Sequence, residues 1–174
     1  MTTKSKPALK SAAKPAAKRS PARSQATPPA GKQRGKIATP VLKIPKTTRW
    51  APQQFMVKHL KERDFKKGLR SYASYRDLGV FDATSGGVQA HVIRLHGPCD
   101  PGVVSIPHLH GVQFQFLYML KGWLLGEYGG KKVRMEEGTC WLQPNSIPHT
   151  VLDYSDGCEM IELILPGTFK TVEL

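Results

Sequence analysis

The sequence predicts an all-β sandwich or barrel behind a basic, low-complexity tail. Three observations point there. Short runs of aliphatic, aromatic and β-branched residues follow one another from residue 88 onward. Turn signals interrupt them at regular spacing, and no stretch keeps a long helical period. The charge divides in the same sense as the composition. The chain has 174 residues, with 26 Lys and Arg against 13 Asp and Glu. Residues 1–49 hold 13 of the bases and no acid, the first acid being Glu62. Residues 50–174 then hold 26 − 13 = 13 bases against all 13 acids. The net charge of +13 belongs to the tail, and the body is neutral.

Residues 1–47 are rich in Lys, Ala and Pro. Pro7, Pro15, Pro21, Pro28, Pro29, Pro40 and Pro45 each remove a backbone donor and fix φ, which leaves no room for a long helix. No aromatic residue precedes Trp50. Such a segment cannot bury enough surface to offset its ordering entropy, so disorder is expected. Its charge has two readings. One is weak, non-specific attachment to nucleic acid through residues 1–49, by counterion release. The other is a solvated tail, or an upstream extension that is not always translated, Met56 standing near the start of the body. Base stacking would call for interleaved aromatics, and their absence tips the balance toward the solvated tail.

The body is expected over residues 48–174. Glu62-Arg63-Asp64-Phe65 suits a short helical turn, and residues 72–80 read as extended. Asp82-Ala83-Thr84-Ser85-Gly86-Gly87 is a turn, rich in residues that tolerate positive φ. Strands are then expected over 88–95, 113–120, 123–128, 133–135, 139–143, 149–154 and 158–165. Lys121-Gly122, Gly129-Gly130-Lys131, Glu137-Gly138 and Ser155-Asp156-Gly157 separate them. A body of about 125 residues can bury one such core.

Several classes are excluded. No run approaches the ~18–20 apolar residues of a membrane helix. No apolar segment follows the positive N-terminus, as a secretory signal would require. Cys99, Cys140 and Cys158 are odd in number and lack CxxC spacing, which argues against a disulfide framework or a cysteine zinc site and fits a reducing cytoplasm. No helix-turn-helix pattern is visible, so the body is not expected to read DNA.

His108 and His110 flank Leu109, and in a strand side chains two apart share a face. His149 comes from a different strand. Imidazole is a common ligand for first-row transition ions. Two on one face with a third from elsewhere make a compact three-nitrogen site with open positions. On spacing alone, surface or buried structural histidines remain the other reading. No acid/base pair is evident beside these histidines, which favours metal-centred chemistry. His91 and His96 read as structural or exposed and His59 as a surface residue. Cys140 and Trp141 alternate, one toward the barrel and one outside. Tyr72, Tyr75 and Arg76 precede the barrel, either covering its mouth or packing as an ordinary first strand.

The residues Gly102, His108, His110, Gln115 and Gly122 resemble the first cupin motif. Five residues lie between Gly102 and His108, four between His110 and Gln115, and six between Gln115 and Gly122. Gly138, Pro144, Ser146 and His149 resemble the second motif, with gaps of five, one and two residues. Fifteen residues separate Gly122 from Gly138. The resemblance, over about residues 88–165, implies a single cupin-type double-stranded β-helix, or jelly-roll barrel. It implies a metal on His108, His110, Gln115 and His149, inside a barrel open to a small molecule from one mouth. Fe2+ is favoured, with Ni2+, Zn2+ or Mn2+ as the other candidates. It also implies a homodimer as the common assembly.

Three positions depart from the motifs: Gln115 replaces a glutamate, Ser146 a glycine and Asp153 an asparagine. Gln115 can coordinate through its carbonyl oxygen but brings no charge, so a hard ion such as Mn2+ loses most. Gln113 shares the alternation of Gln115, which would place two amides in the cavity. Asp153 lies four residues after His149, on the same face of a regular strand. There it either orients an imidazole or solvates a strand end. The function expected is a metal-binding protein acting on a small molecule, as an Fe(II)-type dioxygenase. The alternative is a non-catalytic binding or sensing module.

Overall fold

The computed structural model describes residues 39–43, 51–68 and 70–174. Apart from residues 39–43, the tail expected over 1–47 lies outside them. In chain order the strands are β1 (Lys66–Lys67), β2 (Ala73–Asp77), β3 (Gln89–Leu95), β4 (His108–Gly111), β5 (Phe114–Lys121) and β6 (Trp123–Tyr128). They continue as β7 (Lys131–Glu136), β8 (Cys140–Leu142), β9 (His149–Tyr154), β10 (Glu159–Leu165) and β11 (Lys170–Glu173). Among the described residues they form two antiparallel sheets, ordered β1-β2-β3-β10-β5-β8 and β11-β4-β9-β6-β7. This is the all-β jelly roll that the sequence predicts. No helix among the described residues is long and apolar enough to cross a membrane.

Alternation explains what faces inward. On β5, Gln115, Leu117 and Met119 are buried. On β10, Met160, Glu162 and Ile164 are buried, and β10 lies between β5 and β3. Leu117, Met119 and Met160 join Leu95, Leu124, Met135, Tyr154 and Cys158 in the core. Burying one such large apolar side chain contributes about 1.5–3 kcal/mol. Ala73, Leu95, Leu117, Leu124 and Met160 of this core also line a cavity, so one set of contacts closes the barrel and floors its interior.

The turns carry part of the motif pattern. Gly122, between β5 and β6, has φ +74, and a Cβ there would collide with the Ser155 hydroxyl and lie 3.0 Å from the Cys158 Cβ. Gly138, before β8, has φ +85, which side-chain-bearing residues rarely adopt.

Four short elements were not anticipated. Residues 72–80 are not extended throughout: β2 ends at Asp77, and Val80–Ala83 forms a single helical turn, α1. Thr84 closes it, its hydroxyl donating to the Val80 carbonyl at 2.8 Å. A second turn, α2 (Pro101–Val104), begins with Asp100 accepting from the Gly102 amide at 2.9 Å. Strands β1 and β11 are short and largely exposed, so their composition carries little periodicity.

Residues 39–43 lie within the stretch expected as tail, yet Leu42 is tied to the loop before β9. Its amide donates to the Ser146 hydroxyl at 2.8 Å, and its carbonyl accepts from the Asn145 amide group at 3.1 Å. Leu42 also packs over Gly111.

Candidate metal centre and cavity

Strands β4 and β9 pair antiparallel with His108 directly opposite His149. That register brings the two motifs together. His110, two residues along β4, faces the same side. Ring centroids lie 4.2 Å apart for His108 and His149, and 5.0 Å for His110 with each of the others. One nitrogen from each ring falls within 4.8 Å of the other two, a grouping that could hold a metal ion. Nitrogens bound to one ion at about 2.1 Å lie about 3–3.5 Å apart, so small side-chain adjustments suffice.

The rings are oriented for this. His108 Nδ1 lies 2.9 Å from the Ile106 carbonyl, and His149 Nδ1 3.0 Å from the Ile147 carbonyl. A carbonyl oxygen only accepts, so both Nδ1 atoms carry the proton and each Nε2 presents its lone pair. His110 Nδ1 meets the Thr171 hydroxyl at 2.9 Å, across the β4–β11 pairing. The two backbone carbonyls fix tautomer and ring plane, and the Thr171 hydroxyl, which can donate or accept, fixes the ring plane of His110. Burial lowers all three imidazoles below the usual histidine value. His149 is brought to about 4, and His110, with His149 and His108 beside it, to about 3. They are neutral near pH 7, as ligation requires.

Ser146 explains one departure from the motif. Its φ is +60, so the position keeps the backbone shape that a glycine would favour. Its amide donates to the His110 carbonyl at 2.9 Å, which ties the second-motif loop to the HxH strand. The hydroxyl that glycine would lack accepts from Leu42.

The histidines open into a cavity of about 370 Å³. Its wall includes Tyr72, Tyr75, Tyr128, Trp141 and Phe169. Lys66, Lys67 and Arg70 also line it. Trp141 faces in while Cys140 is exposed, as the alternation predicts. Burial pushes the Tyr128 phenol up to about 12, so it remains a hydrogen-bond donor. The Trp141 indole and the Gln143 amide group approach the Tyr128 phenol, and Gln143 Oε1 is buried without a hydrogen-bond partner among the described residues. Gln143 lines the cavity, where a bound polar molecule can meet this oxygen.

Four sequence expectations change. His91 is not exposed. It lines the cavity, and its Nε2 lies 2.6 Å from Glu162 Oε2. Glu162 also lines the cavity, so an acid/base pair does share the space with the histidines. Gln113 is exposed, because β5 begins at Phe114 and residue 113 falls at the bend before it. Asp153 is exposed too. The β6–β9 register shifts between Leu125 and Gly126, whose partners are Asp153 and Val151, so the alternation counted from His149 breaks there. Asp153 Oδ1 accepts from the Tyr154 amide at 2.8 Å, and backbone carbonyls and Thr171 orient the imidazoles instead.

Gln115 is 2 % exposed, and its Nε2 donates to Glu162 Oε1 at 2.7 Å. Desolvation works to raise the Glu162 carboxyl, but the hydrogen bond and charge of His91 and the bond from Gln115 hold it below the usual carboxylate value. Sequence reading passed over Glu162. Its signal was a charged residue at an inward position of the apolar run 158–165.

Residues 99–164, less than half of the chain, match the family model described as the cupin domain. No curated protein sequence matches the chain. Among solved structures, salicylate 1,2-dioxygenase from Pseudoaminobacter salicylatoxidans, determined as adducts with gentisate, is similar with a TM-score of 0.51. Identity is 8%, over 62% of this chain and 30% of that one. The chain thus spans under a third of that enzyme's length. KdgF from Halomonas sp. is similar with a TM-score of 0.46 and 18% identity, over 57% of this chain and 85% of that one. At such identities the likeness shows the fold alone.

Proposed function

We propose that this chain, which carries a cupin domain over residues 99–164, is a metal-dependent oxygenase of Fe(II) type acting on a small molecule in the barrel. The supporting observation is the group of three neutral imidazoles, each with Nδ1 engaged elsewhere, at the wall of a 370 Å³ cavity. His108, His110 and His149 would hold the ion. Three imidazoles suit Fe2+, Ni2+ or Zn2+ better than the hard Mn2+. A bound Fe2+ would supply a Lewis-acid and redox centre.

The chain's own groups supply the rest. The aromatic wall excludes water and suits a flat or apolar body. Lys66 and Lys67 favour an anionic substituent, beside Arg70, which is paired with Glu173 at 3.1 Å. Gln143 Oε1 and the Tyr128 phenol offer an acceptor and a donor to orient it. His91 and Glu162 can hold a proton between Nε2 and Oε2. Small aromatic acids, gentisate among them, are the first candidates. The basic residues 1–49 support weak nucleic-acid association as an accessory role.

Elemental analysis of the full-length protein purified without a His-tag tests the centre. Stoichiometric transition metal is expected, and its loss in the double variant His108→Ala/His149→Ala. Unchanged metal in that variant would falsify the site. Oxygen consumption by the Fe2+-loaded protein against a panel of aromatic and aliphatic acids tests the reaction. Metal without turnover of any acid would leave a binding or sensing module.

A further inference from the structure

The motif position that ordinarily brings a carboxylate to the histidines is occupied by the neutral Gln115. Three imidazoles and an amide leave a divalent ion uncompensated. The cavity nevertheless contains a carboxylate, on Glu162. Glu162 faces inward from β10, directly opposite His91 on β3. Gln115 on β5 stands opposite Ile164, two residues along β10, and is therefore the diagonal same-face neighbour of Glu162. Both carboxylate oxygens are held: Oε1 by Gln115 Nε2 at 2.7 Å and Oε2 by His91 Nε2 at 2.6 Å. Glu162 lies outside the group of nitrogens within 4.8 Å of one another, yet its charge acts on each of the three imidazoles.

We propose that Glu162 is the anionic group of the metal centre, its charge displaced from the motif position to the neighbouring strand, and that Gln115 is a positioning residue that fixes it. His91 at 2.6 Å can balance the Glu162 carboxylate by itself, but a buried divalent ion with only neutral ligands has nothing to balance it. The Glu162 charge offsets that cost across the cavity. The amide at 115 is then no defect of the motif. A glutamate there would face Glu162 at hydrogen-bond distance, two carboxylates that cannot both stay ionised.

The inference rests on the proposed histidine centre, and one titration separates the two. Zn2+ and Ni2+ affinities of the full-length protein are measured by chelator competition for wild type, Glu162→Gln, Gln115→Leu and Glu162→Gln/Gln115→Glu. Thermal melts verify that each is folded. Glu162→Gln should weaken both ions about 10–100-fold, the scale of removing one full charge that acts on the ion through the protein interior. Gln115→Leu should weaken them severalfold. Gln115→Glu in the Glu162→Gln background returns the charge to the motif position and should restore affinity, which a merely structural role would not do. Wild-type affinity in a folded Glu162→Gln protein overturns the inference and leaves the histidine centre standing. No ion bound by wild type overturns both. If Glu162→Gln does not fold, Gln115→Leu carries the test, and wild-type affinity in it overturns the inference.

Discussion

Ser146 permits a sharp test, because two substitutions there separate strain from bonding. It holds φ at +60 and its hydroxyl accepts the Leu42 amide at 2.8 Å. Ser146→Ala keeps the left-handed backbone and removes the hydrogen bond, a loss of about 1 kcal/mol. Ser146→Gly removes the same bond but relieves a left-handed conformation that costs a side-chain-bearing residue about 1 kcal/mol. The two terms then nearly cancel. The alanine variant should melt about 3–5 °C below wild type, and the glycine variant within about 2 °C of it. Thermal denaturation followed by circular dichroism at pH 7.5 is the assay. The Ser146 amide still donates to the His110 carbonyl in both, so metal content should not change. An alanine variant as stable as the glycine variant refutes the strain argument. Wild-type melting in both refutes the Leu42 contact.

Acid should destabilise the metal-free protein early. Burial holds His149 at about 4 and His110 at about 3, against an ordinary 6.5. Their folded pKa values are depressed, so the unfolded chain binds more protons below pH 6.5. Stability is full above that pH and falls as pH drops toward 4. His149→Gln should flatten the decline, and parallel curves for the two proteins would count against a buried neutral imidazole. Truncation should discriminate two boundaries. Removing residues 1–38 should leave the melt unchanged, whereas removing 1–47 takes away both Leu42 hydrogen bonds and should lower it by about 6–10 °C. Equal melts would mean that Leu42 contributes nothing. If the basic segment attaches to duplex DNA, full-length protein should be retained at low salt with a log–log slope of about −0.9 per neutralised phosphate. The 1–47 truncation should not be retained, and equal retention would move the binding surface onto the barrel.

The sequence by itself determined the all-β class, the division of charge between basic residues 1–49 and a neutral remainder, and three of the groups that meet at the cavity. These rest on local quantities. Alternation puts His108 and His110 on one face, turn residues such as Gly122 and Gly138 punctuate the strands, and motif spacing marks His149. The tertiary structure decided everything that depends on which strand lies beside which. The His108–His149 register, the Thr171 contact from β11 and the pairing of His91 with Glu162 join residues far apart in the chain. Spacing carries no record of such pairings. The bulge at the β6–β9 register shift turned Asp153 to solvent, and the start of β5 at Phe114 left Gln113 outside. A one-residue change in phase reverses the face of every side chain beyond it, so an error too small to see in the sequence is enough to misplace a residue. Glu162 is the clearest case: its inward position was readable from alternation, but its role was not, because only the sheet order sets it between Gln115 and His91.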